Sequence, residues 1–354
     1  MKNYLVEKIS DLLKLSEIRK DWEKIYHDDS HSQVYISWLW FWAWANKAKS
    51  SWVVIGVKCK TKNSYVAFLP LSYHTHKIGG IGLLREIKFG GKPYSVYSSF
   101  LCLSNHESGV FEAIANFIQN ELKWEILRLQ WVRDSRLKLF IKNFSVSDYS
   151  LNYSKGQVSL IATLPDNFEL LFNQSMTKKT RKNIRKCEKQ IESNDNYRIT
   201  VTDDKTVDRD IEIMCKLWNN HWSRENELEW YSHFMHHYFK NKLLRLTILW
   251  DRRHPVSALS CLLDPVKQTY NPYITSFDPA YFKISPGIYL ITESIKHAIE
   301  EKYRYYDFTV GLDSYKLSYG PTQYETKNIS IKRKSLKIKV ATSIFKKVNL
   351  FLRK

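Results

Sequence analysis

Residues 276–299, SFDPAYFKISPGIYLITESIKHAI, form the stretch that decides how this chain is expected to fold. The pattern predicts a strand that ends near Ser276, then a short loop, then a helix with Ser285 at its N-cap and Pro286 at its first position. Isoleucines recur at helical spacing along one face of that helix, at Ile288, Ile291, Ile295 and Ile299. A strand and a one-faced apolar helix in succession predict that both elements pack against one core.

Gly287 lies where the amides of the first helical turn point away from the helix. Because glycine has no side chain, a phosphate can approach the backbone here and meet the positive end of the helix dipole. Ser-Pro-Gly also occurs where a helix simply begins. The motif by itself therefore predicts either a diphosphate-binding turn or an ordinary helix start.

The alternation of strands and helices extends through the whole chain, whose 354 residues are enough for two cores. A helical pattern from Ile9 to Ile25 opens the first half, glycines mark turns across 79–91, and the pattern restarts after Gly156. Strands are predicted at 51–59, 64–73, 124–132, 197–201, 242–250, 256–263, 268–275, 304–310 and 328–331. Helices are predicted at 110–122, 165–172, 176–191, 207–239 with a break near Asn226, and 286–300. The fold class is therefore α+β, with domains at 1–155 and 156–335 and a basic amphipathic tail helix at 336–354.

An aromatic cluster stands between the opening helix and the first predicted strand, at Trp38, Trp40, Phe41, Trp42 and Trp44. Exposed rings of this kind stack on bases or sugars. Tryptophans at helical spacing are more usually core, and we expect the core role here.

The five cysteines are widely spaced, with no CxxC pair and no histidine at metal-ligand spacing. This pattern predicts reduced thiols and no metal site. The N-terminal residues include acids and no small-residue cleavage site, and no apolar run approaches the length of a membrane span. We therefore expect a cytoplasmic protein.

The formal net charge of +19 is concentrated in two segments. Residues 178–189 carry seven Lys or Arg against one Glu, and residues 331–354 carry nine against no acid. The first segment is either a solvated helix face or a site for phosphates of a sugar nucleotide, a lipid diphosphate or tRNA. The tail has an apolar stripe, formed by Val340, Ile344, Phe345, Val348, Phe351 and Leu352. It predicts either peripheral contact with the inner face of the membrane or packing on the protein's own core.

The order of these motifs resembles the GNAT acyltransferases, in particular the CelD-like branch that is related to the Fem peptidyltransferases. The matching residues are Asp278 and Pro279, Ser285 to Gly287, Asp307 and Phe308, Gly311, Tyr315 and Lys316, with Arg181, Arg185, His221 and Trp222 upstream. The resemblance covers residues 176–320 well and the first half loosely, through element order and the residues 70–72, PLS. Two positions depart from it: Pro272 interrupts the expected cofactor-side strand, and Tyr319 stands where the branch has Trp.

The resemblance implies two tandem GNAT-like domains, each a mixed, mostly antiparallel sheet flanked by helices. It implies transfer of an acetyl or related acyl group from acyl-CoA, the co-substrate, to an amine. The acceptor would be an amino sugar on a nucleotide or lipid carrier in surface-polysaccharide biosynthesis. Acyl-CoA would bind the second domain, where two strands splay apart, through Ser276, Phe277, Lys283, Ile284, Ser285, Pro286, Gly287 and Ile288.

Because the thioester is already activated, catalysis needs an aligned amine, a base and a proton donor. Asp307, Asp313 and His221 are the candidate bases, and Tyr315 is the candidate donor to the leaving thiolate. Arg181, Arg185, Trp222 and Lys316 are the candidate substrate-binding residues. For each group a structural role stays open: a backbone-bonded carboxylate for Asp307, a packed ring for His221, and a surface position for Tyr315 and Lys316.

Two alternatives remain on the sequence alone. One is a Fem-like transferase that uses aminoacyl-tRNA in place of acyl-CoA. The other is a non-enzymatic adaptor that binds a membrane or a nucleic acid through its basic segments. The chain contains no GxxxxGK[ST], GxGxxG, HExxH or GxSxG motif and no EF-hand loop, so nucleotide hydrolysis, dinucleotide redox chemistry and zinc proteolysis lack their usual residues.

Overall fold

The computed structural model describes residues 3–78, 81–223, 225–336, 338 and 340, with the backbone alone at 78, 81, 83, 221 and 222. The chain divides into two compact units. The first comprises Met1–Gln157 and the described residues from Glu325 onward, and the second is Val158–Tyr324. Within the described residues, no helix is both long enough and apolar enough to cross a bilayer.

The secondary structure is numbered here in chain order. The strands are β1 (Tyr4–Ile9), β2 (Trp52–Cys59), β3 (Ser64–Ile78), β4 (Ile81–Phe89), β5 (Leu101–Cys102), β6 (Ile126–Val132), β7 (Tyr149–Thr163), β8 (Tyr197–Val201), β9 (Leu244–Asp251), β10 (His254–Asp264), β11 (Thr269–Phe277), β12 (Tyr305–Val310) and β13 (Thr322–Arg333). The α-helices are α1 (Leu12–Glu17), α2 (Arg19–Asp28), α3 (Trp38–Lys47), α4 (Glu107–Glu121), α5 (Leu137–Ile141), α6 (Phe168–Leu170), α7 (Lys178–Glu192), α8 (Val207–Trp222), α9 (Glu225–Lys240), α10 (Pro286–Glu300) and α11 (Ser314–Leu317).

Each unit has a mixed, mostly antiparallel sheet with helices packed on it. In the first unit the strand order is β1-β2-β3-β4-β6-β13-β7, with β5 beside β3 and with β4 and β6 parallel. In the second the order is β7-β12-β11-β10-β9-β8, with β11 and β12 parallel. The division between the units falls within β7. The predicted α+β class is therefore confirmed.

Four strands were not predicted: β1, β4, β5 and β7. The helical pattern was predicted to begin at Ile9, but Ile9 is the last residue of β1, which pairs antiparallel with β2 from Tyr4 onward. β4 crosses the glycine-marked stretch predicted to be turns, and much of β7 is exposed and polar. In each case the pairing with a distant strand overrides the local pattern.

β13 belongs to the first unit, although the predicted division placed residues 328–331 in the second domain. It pairs antiparallel with β6, with Ile329 opposite Leu129 and Ile331 opposite Leu127. The predicted tail helix at 336–354 lies almost entirely outside the described residues. One of its described residues, Ile338, is buried.

Four of the five residues of the aromatic cluster are core, as predicted, and Trp42 is half-buried. The Trp22 ring stacks on Phe41, at 5.5 Å between ring centroids, and on Phe68, at 5.0 Å. The indole N–H of Trp40 donates to the Ser95 hydroxyl. Trp38, Trp40, Phe41 and Trp44 are all buried. These rings therefore hold α2 and α3 against β3 instead of forming a stacking platform.

The core of the second unit is built around α10. Its isoleucines at 291, 295 and 299 are buried as predicted, whereas Ile288 is only half-buried. α7 packs beside α10 through Ile184, Cys187 and Ile191. The region predicted as one broken helix at 207–239 is two helices, and α8 ends at Ser223 in the left-handed conformation, with φ 51°.

A buried charge cluster in the first unit yields a stability prediction. The Arg136 side chain is 3 % exposed and pairs with Asp29 at 3.0 Å and Asp134 at 2.7 Å. Arg136→Ala leaves two buried carboxylates without their cation, so it should lower the free energy of unfolding by about 3–5 kcal/mol. Urea denaturation followed by tryptophan fluorescence measures this. Arg19→Ala, which breaks the exposed pair with Glu23, should cost ~1 kcal/mol or less. Equal losses would contradict the prediction.

Candidate active site

The two parallel strands of the second unit separate soon after they meet. β11 and β12 pair only at Thr269 with Tyr305 and at Tyr270 with Tyr306. Beyond that point β11 continues along β10 to Phe277, and β12 continues along β7. Along the described strands, the β12-facing edge of β11 therefore has no ladder after Tyr270. The resemblance to the GNAT acyltransferases implied such a splay.

Pro272 lies at this parting of the strands. On the β10 side, Cys261 pairs with Pro272 and Ser260 with Ile274, which leaves Tyr273 as an extra residue in β11. The strand therefore carries a bulge beside its proline. A proline removes one ladder hydrogen bond and is tolerated in a strand at a bulge or an edge, and here it lies beside a bulge.

A cavity of about 360 Å³ lies at the end of β11. Its walls are the end of the strand, the loop that follows, the first turns of α10 and the segment after β12. The lining residues are Thr275, Ser276, Phe277, Phe282, Ser285, Pro286, Gly287, Ile288, Ile291, Asp313 and Tyr315. Six of the eight residues predicted to bind the cofactor thus come together here. The other two, Lys283 and Ile284, lie in the adjoining 3₁₀ helix Pro279–Ile284, outside the lining.

The first turn of α10 is open towards this cavity. Ser285 is left-handed, with φ 52°, and its carbonyl accepts from the amides of Ile288 at 3.1 Å and Tyr289 at 3.2 Å. Pro286 has no N–H, so the Gly287 amide is the first-turn donor left for a ligand. A Cβ built on Gly287 would meet only Phe277, at 3.8 Å. An anion can therefore reach the backbone here.

Ser285 occupies the N-cap, as predicted, but its side chain makes no capping bond to the helix. Burial raises the pKa of the Cys187 thiol on α7, and the nearby Ser285 side chain lowers it by a smaller amount. The thiol is therefore neutral in the physiological range.

The Asp278–Pro279 pair holds the loop ahead of α10. The Asp278 carboxylate accepts from the Ala280 amide at 2.9 Å and from His254 at 2.7 Å. The first of these bonds, then the second, hold the pKa of Asp278 below its ordinary value. Tyr281 donates to Asp251 at 2.9 Å and stacks on the His254 ring. The Asp278–Pro279 pair therefore holds the loop in place and does not line the cavity.

Asp313 and Tyr315 form the wall on the β12 side. Burial raises the pKa of Tyr315 to about 12, with a smaller contribution from the Asp313 charge. The phenol is therefore neutral in the physiological range and is able to donate a proton. The Lys316 ammonium, on a side chain that is 10 % exposed, donates to the Val310 carbonyl at 2.8 Å and pairs with Asp313 at 3.0 Å. Lys316 therefore holds the Asp313 carboxylate in place, although it does not itself line the cavity.

Asp307, the second candidate carboxylate, is buried on β12 and lies outside the cavity lining. Its Oδ1 accepts from the Thr309 amide at 2.8 Å, and Thr309 has a left-handed φ of 66°. The bond fits the alternative in which Asp307 holds the backbone where β12 changes register against β7.

Arg181 and Arg185, the predicted substrate-binding arginines of α7, contact residues just before the helix in the chain. Arg181 donates to the carbonyls of Met176 at 2.8 Å and Asn173 at 3.1 Å. The Arg185 guanidinium lies 5.1 Å from the centre of the Phe172 ring. Neither lines the cavity. The side chains of His221 and Trp222 lie outside the described part of the chain.

The corresponding region of the first unit is filled by its own chain. Beyond the parallel pairing of β4 and β6, Ser98 bridges to Val132 and donates to the Gln130 carbonyl at 2.7 Å. At the start of α4, a Cβ on Gly109 would lie 2.5 Å from the Tyr4 ring. The acid Glu107 occupies the first turn of that helix, where an anion would otherwise bind. The open helix end is thus a property of the second unit.

Three lining residues were missed from the sequence: Thr275, Phe282 and Ile291. Thr275 is two residues before Phe277 on β11, so strand alternation would have placed both on one face. Its hydroxyl is buried and has no hydrogen-bond partner within the described chain. Phe282 gave no signal, because a phenylalanine in a loop does not reveal its exposure. Across the described residues, no group of three or more His, Cys, Asp or Glu is arranged to hold a metal ion.

Comparison with known families places a match on the unit that contains this cavity. Residues 178–317 match the family model described as the acetyltransferase (GNAT) domain. No curated protein sequence matches the chain.

Solved structures share the fold over nearly the whole chain. FemX has a TM-score of 0.62 at 10 % identity, over 91 % of this chain and 96 % of FemX. The C-terminal domain of a putative lysylphosphatidylglycerol synthetase from Agrobacterium fabrum has a TM-score of 0.56 at 8 % identity, over 89 % and 92 %. A tandem GNAT protein from the clavulanic acid biosynthesis pathway has a TM-score of 0.52 at 7 % identity, over 94 % and 99 %. Identities this low show the fold alone. The shared fold confirms the prediction of two tandem GNAT-like α+β domains.

The environment of Tyr315 yields a titration prediction. Its folded-state pKa of about 12 exceeds the ordinary 10.0, so the folded protein keeps this proton after the unfolded chain has lost it. The stabilising effect is complete below pH 10.0 and is lost as the pH rises through about 12. Tyrosinate absorbance of the folded protein, with the Tyr315→Phe curve subtracted, should show a midpoint near 12. A midpoint near 10.0 would show that the phenol is not desolvated.

Proposed function

We propose that the chain is an N-acyltransferase that moves an acetyl or related acyl group from acyl-CoA to an amine. The observation that carries this proposal is the open start of α10 beside the cleft between β11 and β12. The Gly287 amide and the helix dipole suit a diphosphate. The family match over residues 178–317 supports a transferase of the GNAT type.

The donor is proposed to lie with its diphosphate at Gly287 and its amide-bearing arm in the cleft. Apolar walls from Phe277, Ile288 and Ile291 suit the methyl and methylene groups of such an arm. The buried Thr275 hydroxyl, which has no partner in the described structure, offers the arm a hydrogen bond. Six of the eight residues predicted to bind acyl-CoA line this cavity, which supports the assignment.

The reaction requires the amine nitrogen to attack the thioester carbonyl, so that a C–N bond forms and the C–S bond breaks. Asp313, the carboxylate of the lining, is proposed to take the proton that the amine loses. Tyr315, whose pKa is raised to about 12, is proposed to give its proton to the departing sulfur. Lys316, paired with Asp313 at 3.0 Å, holds the carboxylate in place. His221 remains a candidate base from the sequence.

The acceptor is proposed to be an amino sugar on a nucleotide or lipid carrier in surface-polysaccharide biosynthesis, as in the CelD-like branch. Exposed lysines on α7, which include Lys178, Lys182 and Lys186, supply positive charge for a carrier phosphate. The proposal places the protein in the cytoplasm, with the basic tail as a peripheral contact to the inner face of the membrane.

A Fem-like transferase that uses aminoacyl-tRNA is the second candidate. Two observations favour it: the fold shared with FemX over 91 % of this chain, and the exposed cations of α7. Under this alternative, Lys182→Ala with Lys186→Ala should weaken tRNA binding and flatten its dependence on salt. Acetyl-CoA binding should be absent. An adaptor without catalytic activity would bind vesicles or nucleic acid and show no turnover with either donor.

The experiment on the donor site compares two substitutions at Gly287 by calorimetry with acetyl-CoA. Gly287→Asp places a carboxylate against the proposed diphosphate, so affinity should fall ~100-fold or more beyond the loss in Gly287→Asn, which has the same shape without the charge. A Cβ meets only Phe277 at 3.8 Å, so both variants should fold. Absence of binding by the wild type, or equal affinity of both variants, would refute a diphosphate at this helix end.

The experiment on the base uses thiol release from acetyl-CoA in the presence of an amino-sugar acceptor. Asp313→Asn should lower kcat by about 10²–10⁴ and leave KM for acetyl-CoA nearly unchanged. Asp278→Asn is the matched control, because its side chain lies outside the lining and an amide oxygen can still accept from Ala280. If Asp313→Asn keeps full kcat, the base is another group, and His221 is the next residue to substitute.

A further inference from the structure

Phe282 is an exposed aromatic ring at the cavity that contains Gly287. The residue is 72 % exposed, yet it belongs to the lining. An isolated exposed apolar side chain needs no explanation in itself. This one lines the same cavity as Gly287 while most of its surface faces solvent.

The backbone under Phe282 is fixed. Its carbonyl accepts from the Ser285 amide at 3.1 Å. The 3₁₀ helix that carries it begins at the Asp278 cap, and the preceding residue, Tyr281, is tied to Asp251. A ring on such a backbone loses little conformational freedom when a planar group stacks on it, because phenylalanine has only two side-chain torsions.

A diphosphate at Gly287 leaves the two ends of the donor on opposite sides. One end, the amide-bearing arm, follows the cleft between β11 and β12. The other end is a nucleoside. Of the aromatic lining residues Phe277, Phe282 and Tyr315, Phe282 is the most exposed, and the exposed cation Lys283 follows it in the chain.

We propose that Phe282 binds the purine ring of the donor by stacking. The inference rests on the proposed function and goes beyond it, because it assigns recognition of the nucleoside to one side chain. Every base has a π face, and stacking on an aromatic side chain contributes substantially to nucleotide affinity. Phe282, on the 3₁₀ helix, would bind the base, and Gly287, in the first turn of the α10 helix that follows, would bind the diphosphate.

The test compares CoA with 4′-phosphopantetheine, which keeps the arm and a phosphate but lacks the nucleoside. Phe282→Ala should weaken CoA binding about tenfold and leave phosphopantetheine binding unchanged. Phe282→Trp should restore CoA affinity. Val266→Ala is the matched control, since Val266 is 47 % exposed in the turn after β10, outside the lining, and should change neither affinity. The CoA effect should persist at high salt, because stacking is not screened as charge pairing is.

If Phe282→Ala weakens the binding of both ligands equally, or does not weaken CoA binding, the stacking role is wrong. The proposed function still stands in that case, provided that the wild type binds both ligands. A wild type that binds neither ligand would instead overturn the proposed function. Flotation with vesicles of anionic lipid tests whether Phe282 contacts a membrane instead. If Phe282→Ala reduces vesicle binding and leaves CoA affinity unchanged, the ring is a membrane contact and the inference is wrong.

Discussion

The β11 and β12 strands part after Tyr270 and Tyr306, and along the described chain the edge of β11 beyond that point faces no strand on the β12 side. Backbone amides and carbonyls that lack a partner have to be satisfied by water or a ligand. The bulge beside Pro272 lets β11 keep its ladder with β10 while it turns away from β12. The cleft, the cavity and the open start of α10 all follow from this separation.

The same fold need not produce the same site in both units. In the second, a Cβ on Gly287 would make only an ordinary contact with the Phe277 ring, at 3.8 Å. In the first, the equivalent helix begins with Glu107 and has the Tyr4 ring against its first turn, and Ser98 bridges to β6 beyond the parallel pairing. Within the described residues each sheet has one parallel pair of strands, and of the two helices compared, α4 and α10, it is α10 whose first turn is open to an anion. Function therefore depends on these few local residues and not on the fold.

The sequence allowed the strand–loop–helix unit to be predicted closely, because its signals are local: α10 spans 286–300 and β8 spans 197–201, as expected. Strands such as β7, whose pairing depends on distant partners, were missed. The helical pattern predicted at 176–191 corresponds to α7, but it could not show that Arg181 turns back onto the carbonyls of Met176 and Asn173. Eight of the eleven cavity-lining residues were named from the family resemblance, whereas Thr275, Phe282 and Ile291 required the strand, loop and helix geometry.

The position of β13 bears on how the protein is made. The first unit needs Glu325 and the residues after it to complete its sheet beside β6, whereas the second unit is continuous from Val158 to Tyr324. A ribosome therefore releases every residue of the second unit before the first unit has its last strand. Domains generally fold as units while the chain emerges. The first 157 residues therefore cannot complete their sheet, and β6 lacks a partner on one side, until the whole second unit and then β13 have been synthesised.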